Sequence, residues 1–158
     1  PRILIGMGGI ETHLPCTQWP EQSALTLLVA NQPHLPFEGL AAQGVVNTDT
    51  LCAQAGLVFT DLLSCCDVVI CKPGYGTFVE AALANIPVLY IEREDWPEQQ
   101  VLIAWLEANA RCAKVEPEAL SRGEFNQAIA AVLTRPAKAP IPQDGAVVAA
   151  TEILRRLG

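Results

Sequence analysis

Four residues near the middle of the chain, Gly74, Gly76, Thr77 and Glu80, have types and a spacing that suit the binding of a nucleotide. Glycine is needed where the backbone takes a positive φ angle or must approach a ligand closely. A helix that begins in this turn offers unpaired amides and the positive end of its dipole to a diphosphate. Thr77 and Glu80 project from one face of the first helical turn. The Glu80 carboxylate would then accept hydrogen bonds from the two hydroxyls of a ribose.

The segments on either side of this turn predict a parallel strand, loop, helix and strand unit. The apolar run Val68–Cys71 reads as a buried strand, residues 76–85 as a helix and residues 87–91 as a second strand. Lys72 and Tyr75 belong to the turn between them, and Lys72 is a cation that could contact a pyrophosphate. We therefore predict a diphosphate site at this loop.

The same residues also allow a purely structural interpretation. Thr77-x-x-Glu80 fits the capping box, in which two side chains close the start of a helix without any ligand. A cap does not explain why Gly74 and Gly76 are both present. Both interpretations remain open at this point.

The motif Gly74-x-x-Thr77-x-x-Glu80, with the following Ala81-Ala82 and Ile86-Pro87-Val88-Leu89, resembles the donor-binding signature of family 28 glycosyltransferases. This group contains the lipid II-forming N-acetylglucosaminyl transferase. The Lys-x-Gly-Tyr-Gly turn is more similar to uncharacterised bacterial family 28 C-terminal domain proteins and to arabinokinase N-terminal regions. The resemblance covers nearly the whole chain, although it departs at Lys72-Pro73, where the family has a small residue.

The resemblance implies a fold and a function. Family 28 enzymes have the GT-B fold of two Rossmann-like domains, and the C-terminal domain holds the nucleotide sugar. The chain would be that donor-binding domain, with a nucleotide sugar, most simply a UDP-sugar, as substrate and with neither metal nor cofactor. The alternatives are a nucleotide-sugar hydrolase or epimerase, or a non-catalytic sensing module attached to a sugar kinase.

The beginning of the chain shapes the expected domain organisation. Pro1 is followed at once by a buried-type strand, so residues 1–158 are expected to be one domain excised from a longer chain. The N-terminal acceptor domain and its general base would be absent, which leaves the catalytic residues unknown and the fragment inactive. The face left bare by excision would favour a homo-oligomer of the fragment.

A polar loop after the second strand of the unit is a further candidate. The resemblance implies that Glu98, Gln99 and Gln100 bind the hydroxyls of the donor sugar. Arg93 is placed in the same donor sugar-binding group, and with Lys72 it could supply positive charge to a pyrophosphate. The alternative is a solvated loop with Pro97 at the first helical position and acidic residues near a helix N-terminus, which needs no ligand.

The first loop of the chain is expected to meet the other two. Gly8 and Gly9 follow a strand at residues 2–6, and ligands of doubly wound sheets bind at the carboxyl ends of the strands. The Gly8-Gly9 signal is weak alone. His13 lies nearby, but a lone loop histidine is more often a surface residue, and His34 is read as part of a loop.

The remaining segments predict an α/β, Rossmann-like doubly wound parallel sheet. We expect an irregular first crossover, because Pro15 and Pro20 interrupt it. The other expected strands are 25–30, 44–47 and 112–115. The other expected helices are 60–66, 97–109, 117–121, 124–133 and 145–157.

Composition excludes several classes of protein. The net charge of −7, with no basic stripe, argues against nucleic acid as a partner. No apolar run reaches the roughly 18 residues of a transmembrane segment and no cationic leader is present, so a cytoplasmic location is expected. The chain has six cysteines without a C-x-x-C pair and only two histidines, so zinc is not expected and the thiols should be reduced and mostly buried.

Overall fold

The structure is a computed structural model, and it describes residues 1–9, 12–36 and 40–157. Its centre is a six-stranded parallel sheet in the order β3-β2-β1-β4-β5-β6. The strands are β1 (Arg2–Gly6), β2 (Thr26–Val29), β3 (Val45–Asn47), β4 (Val68–Cys71), β5 (Val88–Tyr90) and β6 (Cys112–Lys114). The predicted α/β, Rossmann-like doubly wound fold is confirmed.

Seven α-helices surround the sheet within the described residues. They are α1 (Asp49–Ala55), α2 (Phe59–Ser64), α3 (Tyr75–Leu83), α4 (Gln99–Asn109), α5 (Pro117–Arg122), α6 (Asn126–Thr134) and α7 (Gly145–Leu157). Short 3₁₀ helices at Cys16–Gln18 and Ala41–Gln43 lie in the first two crossovers. The prediction that the first crossover lacks a full helix is therefore confirmed for residues 12–25.

The sheet separates two cores because alternate strand residues point to opposite faces. Ile3 and Ile5 of β1 pack on one face with the first crossover, α5 and α6. Leu4 packs on the other face with α2, α3 and α4. Strands β1 and β4 are entirely buried from Ile3 to Gly6 and from Val68 to Cys71, which explains their continuous apolar sequences.

Two predictions about helices are wrong. Helix α1 was not expected; it is short and ends at Gly56, whose φ of 67° suits a glycine C-cap. Pro97 is not the first helical residue, since α4 begins at Gln99 after Glu98 as N-cap. The expected helix at residues 97–109 is therefore two residues too long at its start.

Helix α7 differs from the rest of the fold because none of its residues is buried. Val147, Leu154 and Leu157 are 68%, 71% and 79% exposed. The expectation of a homo-oligomer remains a prediction. No helix in the described part of the chain is long and apolar enough to cross a membrane.

The cysteines follow the expectation in most positions. All six are free thiols, and Cys16, Cys66, Cys71 and Cys112 are buried, whereas Cys52 is half-buried and Cys65 is exposed. Burial raises the pKa of Cys71 to about 12. The buried thiols therefore act as small apolar side chains, because a protonated thiol is a poor nucleophile.

Candidate nucleotide-binding site

The order of the strands reverses between β1 and β4, which lie next to each other in the sheet. Gly6 is in register with Cys71, so the loops that begin at Met7 and Lys72 leave the sheet side by side. Such a switch point is where doubly wound sheets bind ligands. Strand β5 pairs in parallel with β4, so the loop after β5 leaves the sheet at the same edge. The three predicted loops, after β1, β4 and β5, therefore share this edge.

A cleft of about 500 Å³ opens at this edge, on the face of the sheet that carries α2 and α3. Its floor includes the Phe59 ring, which would approach a Cβ atom at Gly6 to 2.9 Å. A side chain on Gly6 would therefore displace the ring. The cleft is lined by Gly8, Gly9, Ala30, Asn31, Thr48, Asp49, Cys52, Phe59, Leu62 and Thr77.

Helix α3 begins at the predicted glycine turn with unpaired amides. Gly74 is the N-cap, and the amides of Tyr75, Gly76 and Thr77 donate no hydrogen bond to any other described residue. The Phe78 amide is the first to be used, because it donates to the Gly74 carbonyl at 3.1 Å. The start of α3 can therefore supply three N–H donors to a ligand.

Gly74 and Gly76 do not owe their identity to backbone conformation. Gly74 has an extended backbone with φ of −167° and ψ of 140°, and Gly76 lies within the helix without a positive φ. Of the two reasons given for glycine at these positions, a positive φ therefore does not apply. A Cβ atom on Gly76 would meet nothing within 4 Å, and one on Gly74 would meet only the Lys72 carbonyl oxygen at 3.9 Å. Close approach of a ligand, the other reason, stays a prediction for both.

The capping-box interpretation of Thr77 and Glu80 is also wrong. Thr77 is the third residue of α3 rather than its N-cap. Glu80 is half-buried, and its side chain makes no hydrogen bond or ion pair with the described residues, although its carbonyl accepts from the Ala84 amide at 3.0 Å. Thr77 borders the cleft, whereas Glu80 lies one turn further along the same helix.

Two residues that the sequence analysis did not select, Asn31 and Asp49, line the opposite wall of the cleft. The Asp49 carboxylate accepts hydrogen bonds from the amides of Asn31 at 2.8 Å and Gln32 at 3.0 Å. Asn31 has a φ of 59° and donates its side-chain amide to the Gly8 carbonyl at 3.1 Å. An asparagine directly after a strand was the available signal, since asparagine tolerates this conformation.

The loop after β5 is largely closed by its own hydrogen bonds. The buried Gln99 side chain accepts from the Arg93 amide at 2.7 Å and donates to the Arg93 carbonyl. The Arg93 guanidinium contacts the Asp95 carboxylate through two nitrogens, each at 3.0 Å, and lowers the pKa of Asp95. Gln99 therefore positions the loop, and its role in sugar binding stays a prediction.

Aromatic contacts join this loop to the start of α3. The Tyr75 hydroxyl donates to Glu98 at 2.9 Å, and this bond raises the pKa of Tyr75. The Tyr75 and Trp96 rings meet edge to face with centroids 5.9 Å apart. Gln100 is exposed on the first turn of α4. Tyr75 and Glu98 thus lie in contact with each other. Their binding to a donor stays a prediction.

A second hollow of about 290 Å³ lies on the other face of the sheet, between the first loop and α5. Lys72 borders it, together with His13, Glu92 and Arg93. Lys72 does not border the larger cleft, although its Cε atom is 3.5 Å from where a Cβ of Gly8 would lie. Lys72 therefore borders the second hollow and lies next to Gly8, which lines the larger cleft.

The two histidines lie together rather than apart. The His13 and His34 rings stack with centroids 3.9 Å apart and an angle of 9° between planes. His34 lies in a loop as expected, and its ring also packs against His13 in the segment after the first loop. No group of three or more histidine, cysteine, aspartate or glutamate residues that could hold a metal is found among the residues the structure describes.

Comparison with known proteins gives a match in fold alone. No family model matches the sequence, and no curated protein matches it. Five chains among the solved structures match. One is the glycosyltransferase SnogD from Streptomyces nogalater, at 18% identity and a TM-score of 0.47 over 95% of this chain and 43% of that chain. The chain thus spans less than half of that structure. A match with this identity and TM-score concerns the fold and says nothing about activity.

Proposed function

We propose that the carboxyl edge of the sheet binds the nucleoside diphosphate part of a nucleotide sugar. The observation that supports this most is the start of α3, where three unpaired amides follow Gly74 and a Cβ on Gly76 would meet only open space. Unpaired amides at a helix N-terminus are favourable ligands for phosphate oxygens. Neither Gly74 nor Gly76 has a positive φ or a close neighbour that would exclude a Cβ atom. A ligand that approaches the backbone therefore explains these two glycines best.

The cleft beside α3 suits the rest of such a ligand. Its volume of about 500 Å³ lies within the range of small-molecule sites, roughly 300–1,000 Å³. Phe59 and Leu62 provide apolar surface for a base, and Thr77 links this surface to the helix start. Glu80, which has no partner among the described residues, is the carboxylate we assign to the ribose hydroxyls.

The proposed activity is glycosyl transfer in the parent protein, with this chain as the donor-binding half of a GT-B enzyme. The α3 amides would stabilise the departing diphosphate as negative charge develops on it, which lowers the barrier to transfer. UDP is the nucleotide that the resemblance to family 28 implies. The general base and the acceptor site would belong to an N-terminal domain.

Calorimetry with a panel of ADP, GDP, UDP and UDP-sugars tests the proposal. We expect UDP and UDP-sugars to bind weakly, because an N-terminal domain would supply part of the cleft. We expect UDP and UDP-sugars to bind more tightly than the purine nucleotides ADP and GDP. A folded chain that binds no nucleotide would overturn the proposal.

A further inference from the structure

The second hollow contains a positive charge that the described residues leave without a partner. The Lys72 Nζ atom is shielded from solvent and has no hydrogen-bond partner among the residues described. Burial first, and the charge of Arg93 second, lower the pKa of Lys72, whereas the charge of Asp95 raises it by less. A shielded ammonium without a partner destabilises a fold, so such groups are normally paired with an anion.

The charged neighbours in the hollow are already engaged. The Arg93 guanidinium forms an ion pair with the Asp95 carboxylate at 3.0 Å. Glu92 forms an ion pair with Lys114 at 3.3 Å rather than with Lys72. The Asp95 and Glu92 carboxylates thus form their ion pairs with other cations. The Lys72 ammonium makes no hydrogen bond to the described residues, so it remains available to an anion that arrives with a ligand.

The position of the hollow says which part of a ligand would reach it. Lys72 borders the hollow together with residues of the first loop and of the loop after β5, and its Cε atom lies 3.5 Å from where a Cβ of Gly8 would be. A diphosphate at the start of α3 would separate a nucleoside in the cleft from its remaining substituent. That substituent would therefore extend toward Lys72 and His13.

We propose that the second hollow is an oxyanion subsite centred on Lys72, which selects a carboxylate or phosphate group carried by the donor sugar or by the acceptor. This inference rests on the proposed nucleotide-sugar site, and it differs from the sequence-based expectation that Lys72 binds the diphosphate. A neutral sugar leaves the ammonium unpaired, whereas an anionic group pairs with it through charge-assisted hydrogen bonds.

The test compares ligands that share the nucleotide and differ in charge at the sugar. Calorimetry with UDP, UDP-glucose and UDP-glucuronate is carried out on the wild-type chain, on Lys72→Met and on Lys138→Met. The last variant loses one exposed positive charge outside the hollow, so it controls for net charge. If the donor carries the anion, the wild type should bind UDP-glucuronate about tenfold more tightly than UDP-glucose. Only Lys72→Met should lose this difference.

A second arm asks whether the acceptor carries the anion. Inorganic phosphate is titrated into the UDP-saturated chain, and binding that Lys72→Met removes and Lys138→Met keeps supports an acceptor source. The proposal is overturned if neither arm depends on Lys72. It is also overturned if Lys72→Met weakens UDP and both UDP-sugars equally, because Lys72 then serves the diphosphate.

Failure of nucleotide binding is distinguishable from failure of this subsite. If UDP does not bind, NMR of the lysine ammonium signals is recorded while glucuronate or inorganic phosphate is added. A selective shift of the Lys72 signal supports the oxyanion subsite even though the proposed function has failed. No shift of that signal overturns the subsite as well.

Discussion

Two glycines at opposite ends of helices, Gly76 and Gly123, differ in whether the fold requires a glycine at their position. Gly123 ends α5 with a φ of 70°, and a Cβ on it would lie 2.8 Å from the Trp19 ring. Gly76 has no positive φ, and a Cβ on it would meet nothing within 4 Å. The fold itself requires glycine at Gly123, whereas it does not at Gly76. A glycine that the fold does not require is the more informative one about a ligand.

Replacement of Gly123 by alanine should give the largest loss of stability. A left-handed backbone costs a non-glycine residue about 1–2 kcal/mol, and overpacking against buried Trp19 costs about 1–3 kcal/mol more. We expect Gly123→Ala to lower the free energy of unfolding by about 3 kcal/mol, as measured by urea denaturation.

Gly56→Ala is the matched control for this change. Gly56 also has a positive φ, but a Cβ on it would meet nothing within 4 Å. Its loss should be limited to the backbone cost of about 1–2 kcal/mol. Equal losses in the two variants would show that contact with Trp19 does not determine the need for Gly123.

Replacement of Glu80 by glutamine should reduce binding without a loss of stability. The Glu80 side chain has no hydrogen-bond or ion-pair partner among the described residues, and glutamine has nearly the same shape, so the change breaks no polar contact of the fold. Loss of a charge-assisted bond to ribose costs roughly 1.5–3 kcal/mol, which is about one to two powers of ten in Kd. Calorimetry with UDP and thermal denaturation measure the two quantities.

Glu21→Gln is the control for Glu80→Gln. Glu21 is exposed and precedes β2, so it lies toward the amino end of the sheet. We expect it to bind UDP like the wild type. A Glu80→Gln protein that melts much earlier and keeps its affinity for UDP would assign Glu80 to the fold instead of the ribose.

Sequence patterns predicted the strands well because the evidence for them is local. Val68–Cys71 is a continuous apolar run next to a glycine turn, and a buried parallel strand reads in this way. Helix α1 was missed because it has only seven residues and a weak apolar pattern. Its one clear mark is Gly56 at the C-cap, which alone cannot be told from an ordinary turn.

The partners of polar side chains could not be predicted from the sequence. Gln99 and Glu98 were predicted to bind the hydroxyls of a sugar. In the structure the Gln99 side chain accepts from the Arg93 amide, and Glu98 accepts from the hydroxyl of Tyr75, 23 residues away. Such contacts depend on the path of the loop in space. The start of a helix with unpaired amides at the glycine turn could be predicted from the sequence, because it depends on the backbone alone. The unpaired Lys72 could not be predicted, since pairing is a property of the folded chain.

The most direct test of the nucleotide site compares two helix-start glycines. Gly76 and Gly145 both lie in the first turn of a helix, and a Cβ on either would meet nothing within 4 Å. Alanine favours a helix by about 0.5–1 kcal/mol over glycine, so neither Gly76→Ala nor Gly145→Ala should lose stability. Calorimetry with UDP should show about a tenfold loss of affinity in Gly76→Ala, because the added Cβ keeps the diphosphate from the α3 amides, and no loss in Gly145→Ala. Equal UDP affinity in Gly76→Ala and the wild type would contradict the account.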